Sequence, residues 1–466
     1  MAARSKRRVT SAAGVADGKQ AVLGRAIHAP DAVEILPHAL IVIDAVGDIV
    51  AVEARMAPDD PHVAAFRDAG CLTELSGDQI LLPGLVDLHV HAPQFPQLGT
   101  ALDLPLEDWL QARTFPLESR YADLAFVGEV YARLVGTLLA NGTTTALYFA
   151  TIHLPATRLL AEICLALGQR ALVGRVSMDH PGQCPAHYRD ASAASATADT
   201  RAFIEFVRSM PGNAAGLVRP VVTPRFVPAC TDALLDSLGA LARETGCHVQ
   251  THCSESDWEH GHVRQRFGRS DAQVLDDAGL LGRRSIVAHG NFLEPADVSL
   301  LCERGAAVAH CPMSNIYFAG AVLPLRAMLE AGLRIGLGLG TDIAGGANAS
   351  LFEAARQAVA CSRLLESGTD PRRAAAARGR PHSRIDFRTA FRLATAAGGE
   401  ALDLPVGLFR TGYAFDAIVI QSGLPDGNVV FASDEDADTM LQKIVMGAGR
   451  ADIARVWVGG RVVRQR

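Results

Sequence analysis

Six histidines and carboxylates stand at or just after the ends of short apolar runs, and their types point to metal chemistry. They are His89, His91, His252, Glu255, His289 and Asp342. The first two are separated by one residue, so on a regular strand their side chains point to the same face. Imidazoles with one carboxylate suit zinc, with iron as an open alternative. We expect three histidines and the aspartate to hold one ion and leave room for water.

Glu255 and His289 are placed to serve that water. A metal ion lowers the pKa of a bound water to about 7, so hydroxide is available at neutral pH. Glu255 follows His252 by three residues and is expected to act as the base that moves the proton. His289 is expected to orient and polarise the water.

Each of these residues also has a purely structural interpretation. A single buried histidine is more often held by hydrogen bonds than by a metal, and Asp342 could cap a following helix. His260 and His262 lie in a polar helical stretch and are expected to be exposed, whereas His310-Cys311 is expected to pack in the core. Burying several titratable groups together is costly unless they are paired or bind a metal. Taken together, the residues at the strand ends therefore favour a metal site.

Lysine is nearly absent from the chain, and this limits the metal chemistry. Only Lys6, Lys19 and Lys443 occur among the 44 basic residues. No Schiff-base, phosphate-loop or carbamylated lysine can therefore act between Lys19 and Lys443. Many binuclear hydrolases bridge two metals with a carbamylated lysine, but the fourth apolar run ends in Thr223-Pro-Arg-Phe226. The sequence predicts one metal ion per chain.

The elements that carry these residues alternate in type along the middle of the chain. Apolar, β-rich runs are separated by longer stretches rich in Ala, Leu and Arg, which are typical of helices. Eight runs occur, at residues 81–91, 142–149, 171–178, 216–226, 247–255, 285–290, 305–311 and 334–342. Eight strand-helix units predict an α/β fold with a (β/α)8 TIM-like barrel, whose active site lies at the carboxyl ends of the strands. A doubly wound sheet is the alternative, but no Gly-rich loop follows the first run.

Both chain ends are β-rich and are predicted to form a second, smaller β-sandwich domain. Residues 38–53 predict two strands around a turn at Val46-Gly-Asp48. Near the other end, Phe415–Gln421 is an apolar run, and residues 455–463 predict a hairpin with a Gly459-Gly460 turn. We expect a composite β domain from residues 1–80 and 395–466, and a hydrolase barrel over residues 81–394.

Composition excludes several other classes of protein. Of the 466 residues, 49% are hydrophobic and 20% are charged, as in globular proteins. The net charge of −6 argues against a nucleic-acid partner. No apolar run approaches the ~18–20 residues that span a membrane, and no secretory signal follows the basic N-terminus. The nine cysteines lack a C-x-x-C motif, which favours a reducing, cytoplasmic location.

Several blocks of sequence between residues 83 and 346 carry a further signal. One is Pro83-Gly-Leu-Val-Asp-Leu-His-Val-His91, a pattern that resembles the amidohydrolase superfamily. Four others are His91-Ala-Pro-Gln94, Thr114-Phe-Pro-Leu-Glu118, Gly142-Thr-Thr-Thr-Ala-Leu-Tyr-Phe149 and Thr223-Pro-Arg-Phe226. These four narrow the resemblance to the guanine deaminases within that superfamily.

This resemblance implies a homodimeric, zinc-dependent enzyme that converts guanine to xanthine and ammonia in purine metabolism. Its implied zinc ligands are His89, His91, His252 and Asp342. Its implied catalytic residues are Glu255 as the proton shuttle, with His289 and Asp342 beside the reacting water.

The resemblance also implies how the purine is bound. The implied binding residues are Gln94, Arg225, Phe226, His252, Glu255 and Asp342. Phe226 can stack on the apolar face of the purine, because its own ring is flat. Arg225 only donates, which suits a carbonyl, whereas the Gln94 amide can donate and accept.

Two other functions stay open at this point. One is a related aminohydrolase that acts on another oxopurine or a pterin. The other is a barrel that has lost its chemistry and serves as a binding protein, against which the intact set of ligands and base argues.

Overall fold

The computed structural model describes residues 18–333, 337–339 and 341–466. Its strands are β1 (Gln20–His28), β2 (Glu34–Ile43), β3 (Ile49–Glu53), β4 (Leu72–Glu74), β5 (Gln79–Pro83), β6 (Leu85–His91), β7 (Thr143–Phe149), β8 (Arg170–Ser177), β9 (Val218–Pro224), β10 (His248–Cys253), β11 (Ser285–His289), β12 (Ala307–His310), β13 (Leu337–Leu339), β14 (Ala417–Gln421), β15 (Ile453–Val458) and β16 (Arg461–Gln465).

The helices are α1 (Pro61–Asp68), α2 (Leu106–Trp109), α3 (Phe115–Ser119), α4 (Leu124–Ala140), α5 (Leu154–Leu167), α6 (Ala193–Ser209), α7 (Asp232–Thr245), α8 (Asp257–Phe267), α9 (Asp271–Asp277), α10 (Pro295–Arg304), α11 (Pro312–Ser314), α12 (Leu325–Glu330), α13 (Leu351–Ser367), α14 (Phe387–Ala394), α15 (Ala396–Ala401) and α16 (Ala437–Gly447). Within the described residues, no helix is both long enough and apolar enough to cross a membrane.

Strands β6 to β13 form a parallel barrel sheet in chain order. Each predicted run contains one of these strands, except that β8 begins one residue before the run at 171–178, and residues 334–336 and 340 of the last run lie outside the described residues. The segment after β13 reaches β6, where Asp342 N donates to His89 O at 3.0 Å and His91 N donates to Ile343 O at 3.1 Å. These bonds join the last strand region to the first and confirm the predicted TIM-like barrel.

The barrel strands are buried because helices cover their outer faces. All residues of β6, β7 and β10 are buried, the polar ones included, so these strands show no alternation of buried and exposed positions. Helix boundaries follow local signals: Thr231 caps α7 by accepting from Leu234 N, and Gly246 ends that helix in the left-handed conformation. The predicted runs therefore correspond to the ring of buried strands whose carboxyl ends carry the candidate site.

A second, mixed sheet combines strands from both ends of the chain. Its order is β16-β15-β14-β5-β1-β2-β3, with β4 also paired to β1. On β5 and β14, Leu81 and Val419 face the core of this sheet, whereas Leu82 and Ile420 pack into the barrel core. The smaller β unit formed from both ends is thus confirmed, and its residue bounds stay a prediction.

Candidate metal centre and active site

The carboxyl ends of the barrel strands bring the predicted metal ligands together. His89 and His91 end β6, His252 lies near the end of β10, and His289 ends β11. The ring centroid of His89 lies 4.9 Å from those of His91 and His252 and 5.4 Å from that of His289. Asp342 follows β13, and its Oδ1 lies 3.2 Å from His89 Nε2. All five residues are buried.

The donor atoms of this cluster converge without satisfying one another. Nε2 of His91 and Nε2 of His252 lie 2.9 Å apart, and His91 Nε2 is 3.7 Å from Asp342 Oδ1. His289 Nε2 has no hydrogen-bond partner within the described residues. Buried polar atoms are rarely left unpaired, so these lone pairs indicate a missing partner. A donor set of neutral imidazoles and one carboxylate fits a divalent ion such as zinc or iron.

Burial controls the charge of the cluster. Burial and the neighbouring His89 hold the pKa values of His91 and His252 well below the usual range, so both rings stay neutral and keep a lone pair. Burial alone would raise the pKa of Asp342, but His89 and the other histidines lower it well below its usual range. The site therefore presents the neutral imidazoles of His91 and His252 beside an ionised carboxylate.

Hydrogen bonds from behind orient two of the rings. His252 Nδ1 donates to Arg225 O at 2.5 Å, and His289 Nδ1 donates to Asn315 Oδ1 at 3.0 Å. Each bond places the proton on Nδ1 and leaves the Nε2 lone pair facing the cavity.

Asp87 ties the first strand to the segment after the last. It accepts from His89 N at 3.2 Å, from Thr341 N at 3.1 Å and from Thr341 Oγ1 at 2.7 Å. Burial raises the pKa of Asp87 to about 7. Its position behind His89 and Asp342 fixes the separation of these two candidate ligands.

Glu255 lies just beyond β10, beside the cluster. Its Oε1 is 3.5 Å from His289 Nε2, and its side chain is buried. Burial, reinforced by the charge of Asp342, raises the pKa of Glu255 to about 8. A carboxyl group that titrates near neutral pH can both accept and donate a proton, as a proton shuttle must.

Two further carboxyl groups, those of Glu259 and Asp271, hold the segment that carries Glu255. Glu255 N donates to Glu259 Oε2 at 2.6 Å, and Ser254 Oγ donates to Asp271 Oδ2 at 3.0 Å. Ser254 has a φ of 51°, in the left-handed region that non-glycine residues seldom occupy. Burial and the neighbouring Asp271 raise the pKa of Glu259 well above its usual range, so Glu259 is the protonated member of the pair. Sequence reasoning missed both carboxylates, because they lie on helices rather than at strand ends.

The opposite wall of the cavity carries the predicted purine-binding residues. Gln94, Arg225 and Phe226 line the cavity together with three of the candidate metal ligands, His91, His252 and Asp342. Leu106 and Trp109 add apolar surface from the segment between β6 and β7. The cavity therefore combines apolar surface with several convergent polar groups, as small-molecule sites do.

Glu118 is a further residue at this wall to which the sequence analysis gave no role. It lies on α3, is fully buried, and accepts hydrogen bonds from Gln94, Tyr188 and Arg225. It ends the sequence block Thr114-Phe-Pro-Leu-Glu118, and as the single carboxylate of that block it was the signal that could have marked it as a site residue.

The predicted site residues therefore meet at the cavity and the histidine cluster beside it, and the other histidine motif does not join them. The residues that meet are Gln94, His89, His91, Arg225, Phe226, His252, Glu255, His289 and Asp342. His260 and His262 lie on α8 and are half-buried rather than exposed, because the ring of His260 packs near Phe292 and that of His262 near Trp258. Cys311 lies near His89 and Asp342, but burial raises the pKa of its thiol well above the usual range, which disfavours the thiolate that binds metals.

Comparison with known proteins gives the family. The Amidohydrolase family model matches residues 80–463. The chain is 36% identical over 454 residues to a probable guanine deaminase of Schizosaccharomyces pombe, covering 95% of this chain and 82% of that protein. It is 36% identical over 400 residues to the guanine deaminase of Homo sapiens, covering 84% of each chain.

A solved structure shows the same fold. The crystal structure of guanine deaminase from C. acetobutylicum with bound guanine in the active site superimposes with a TM-score of 0.84 and 28% identity. The match covers 96% of this chain and 100% of that one. Fold, site and relatives agree, and the chain belongs to the amidohydrolase family.

Proposed function

We propose that the chain catalyses the hydrolytic deamination of guanine to xanthine and ammonia, a step of purine catabolism or salvage. The observation that carries the proposal is one cavity in which Gln94, Arg225 and Phe226 face a cluster of histidines with Asp342 and Glu255. The named guanine deaminases among the relatives support the same reaction.

The proposed cofactor is one Zn²⁺ per chain, with Fe²⁺ as the alternative. Its ligands would be His89, His91, His252 and Asp342, whose donor atoms converge in the structure. When bound, such an ion supplies a nucleophile at neutral pH by acidifying water. The absence of lysine between Lys19 and Lys443 supports a single ion rather than a bridged pair.

The purine is proposed to lie against Phe226, with its polar edge towards Gln94 and Arg225. Phe226 is 5% exposed, and its ring centroid lies 5.9 Å from that of Trp258, so the purine would complete an aromatic cluster. Arg225 can donate to the purine carbonyl, because a guanidinium has donors only. This pose points the carbon that bears the amine at the histidine cluster.

Glu255 is proposed to move the protons of the reaction. Its carboxylate would accept a proton from the attacking water and deliver it to the ring nitrogen next to the reacting carbon. It would then take the remaining proton of the added hydroxyl group, as the new carbonyl forms, and deliver it to the amine, which leaves as ammonia. His289, 3.5 Å from Glu255 Oε1, would hold the water in line by a hydrogen bond. Asp342 would complete the set by accepting from the same water.

The proposed setting is a homodimer in the cytoplasm. All nine cysteines are free, which agrees with a reducing compartment. Sedimentation at several protein concentrations would test the dimer: a monomer throughout would contradict it.

A substrate panel tests the proposed reaction. Purified, zinc-loaded protein is mixed with guanine, an 8-substituted oxopurine and a pterin, and ammonia and the product with oxygen in place of the amine are measured. Xanthine formation from guanine, faster than product from the others, is the expected result. Turnover of another panel member without turnover of guanine would contradict the proposal and favour a related aminohydrolase. Bound zinc without any turnover would favour a binding protein.

A further inference from the structure

Gln94, Arg225 and Phe226 form the side of the cavity that we call the recognition wall. The buried carboxylate of Glu118 binds two of these residues from outside the cavity. It accepts from Arg225 Nη1 at 2.6 Å, from Arg225 Nη2 at 3.1 Å, from Gln94 Nε2 at 2.9 Å and from Tyr188 OH at 2.7 Å. Its relative exposure is 0%. Four donors around one fully buried carboxylate satisfy its lone pairs and hold its position.

This carboxylate connects two elements that are distant in the chain. Gln94 lies in the turn Ala92–Gln97 after β6, and Arg225 follows β9. Glu118 joins them from α3, 24 residues from Gln94 and 107 residues from Arg225. Both partners line the cavity, whereas Glu118 does not, so its effect on a ligand must pass through them.

Glu118 also determines which donors stay available. Two of the five guanidinium N–H groups of Arg225 are taken by the carboxylate, a third donates from Nη1 to Met178 Sδ at 3.9 Å, and two are left. The Gln94 amide donates to Glu118 through Nε2, and its Oε1 accepts from Ala344 N at 3.2 Å, so the amide cannot reverse its orientation. Two parallel hydrogen bonds to Glu118 fix the orientation of the planar guanidinium group of Arg225, and with it the direction of the remaining N–H donors.

The geometry points to Glu118 as the positioning residue that makes the cavity selective for purines with a carbonyl group at the edge facing Arg225. The inference rests on the proposed function, because it takes a purine as the ligand. A fixed, donor-only guanidinium accepts a carbonyl oxygen and opposes an amino group or a bare C–H at the same place. Without Glu118, the guanidinium of Arg225 would lose its fixed direction. The cavity would then discriminate less between purines with and without the carbonyl group, but its apolar contacts with the purine ring would remain.

The test compares the binding of two ligands that differ at that edge. Hypoxanthine carries the carbonyl group, and unsubstituted purine does not; neither has an amine to remove, so their dissociation constants can be measured by calorimetry on zinc-loaded protein. The variant Glu118→Gln removes the charge at constant size. Hydrogen bonds to charged groups contribute about 1.5–3 kcal/mol, so we expect hypoxanthine to bind about 10- to 100-fold more weakly and purine within about threefold of the parent protein.

Two further variants separate selectivity from stability. Glu118→Asp keeps the negative charge beside Arg225 but shortens its reach, so it should fold and still lose preference for hypoxanthine, by a smaller factor. Asp190→Asn is the matched control, because Asp190 is also a buried partner of a buried arginine, Arg175, outside the cavity. It should lower stability and leave the ratio of the two dissociation constants unchanged.

The outcomes are distinct for the inference and for the proposed function. Equal weakening of both ligands in Glu118→Gln and Glu118→Asp, or no weakening of either, would overturn the inference. A selective loss for hypoxanthine would support it, whatever the catalytic rate. Failure of the parent protein to produce xanthine from guanine would overturn the proposed function instead, because the binding comparison does not require turnover.

Discussion

The two walls of the cavity differ in how their buried polar groups are paired. The metal wall carries the histidine cluster with Asp342 and Glu255, and the recognition wall carries Gln94, Arg225 and Phe226. On the metal wall, His91 Nε2 and His252 Nε2 face each other at 2.9 Å, and His289 Nε2 has no partner within the described residues. On the recognition wall, Glu118 and Arg225 neutralise each other through two hydrogen bonds. One wall is complete only with an ion, whereas the other is complete before any ligand binds. We therefore propose that the first wall carries the reactivity of the site and the second its selectivity.

The largest effect is expected from removing the proton carrier on the metal wall. Glu255→Gln keeps the size of the side chain but cannot shuttle a proton, so kcat should fall by about 100- to 10,000-fold. Metal content should not change, because Glu255 is not one of the proposed ligands. Steady-state kinetics with metal analysis would measure both. The exposed, ion-paired Glu244→Gln is the control and should keep the parent rate; a Glu255→Gln enzyme with most of its activity would remove Glu255 from the mechanism.

The same carboxyl group should make the metal-free protein less stable as the pH rises. The pKa of Glu255 is raised from 4.5 to about 8, so the folded state keeps a proton that the unfolded state releases. Its stabilising contribution is full below about pH 4.5 and is lost as the pH rises through about 8, on the order of a few kcal/mol.

The measurement is the free energy of unfolding of parent protein and Glu255→Gln in chelator, from about pH 5 to about pH 9. The glutamine stays neutral, so the stability of the parent relative to the variant should fall with rising pH. A constant difference would show that the metal wall does not hold Glu255 in its protonated form.

A moderate effect is expected on the recognition wall. Phe226→Ala removes the ring on which the purine is proposed to stack, and aromatic pairs contribute about 0.5–1.5 kcal/mol beyond their buried area. We expect KM for guanine to rise about tenfold with kcat little changed. Phe206→Ala, on α6 and away from the cavity, is the control. A fall in kcat at constant KM would place Phe226 with the reactive wall instead.

The smallest effect is expected at Glu259, behind the Glu255 loop. Because Glu259 is the protonated member of its pair, Glu259→Gln presents the same acceptor to Glu255 N and a donor to Asp271. Its kcat should stay within about threefold of the parent value, whereas Glu259→Ala leaves Glu255 N without its partner, at a cost of about 1–3 kcal/mol. Kinetics of the two variants would measure this difference, and a large loss in Glu259→Gln would show that the charge is required.

The two walls also differ in how far the sequence predicts them. The metal wall was predictable, because His89, His91, His252 and His289 each follow an apolar run, and parallel strands end at one rim. The recognition wall was predictable only through the resemblance. Glu118 and Tyr188 lie in segments between strands, whose paths depend on tertiary packing, and no periodicity places them beside Arg225. Helical carboxylates such as Glu259 were missed for the same reason.

A zinc titration of metal-stripped protein tests the central claim most directly. Bound zinc per chain and the rate of xanthine formation from guanine are measured in the same samples. The account predicts a rate that rises in proportion to bound zinc and reaches its plateau at one ion per chain. A protein that forms no xanthine with one ion bound, or that needs a second ion for activity, would contradict it.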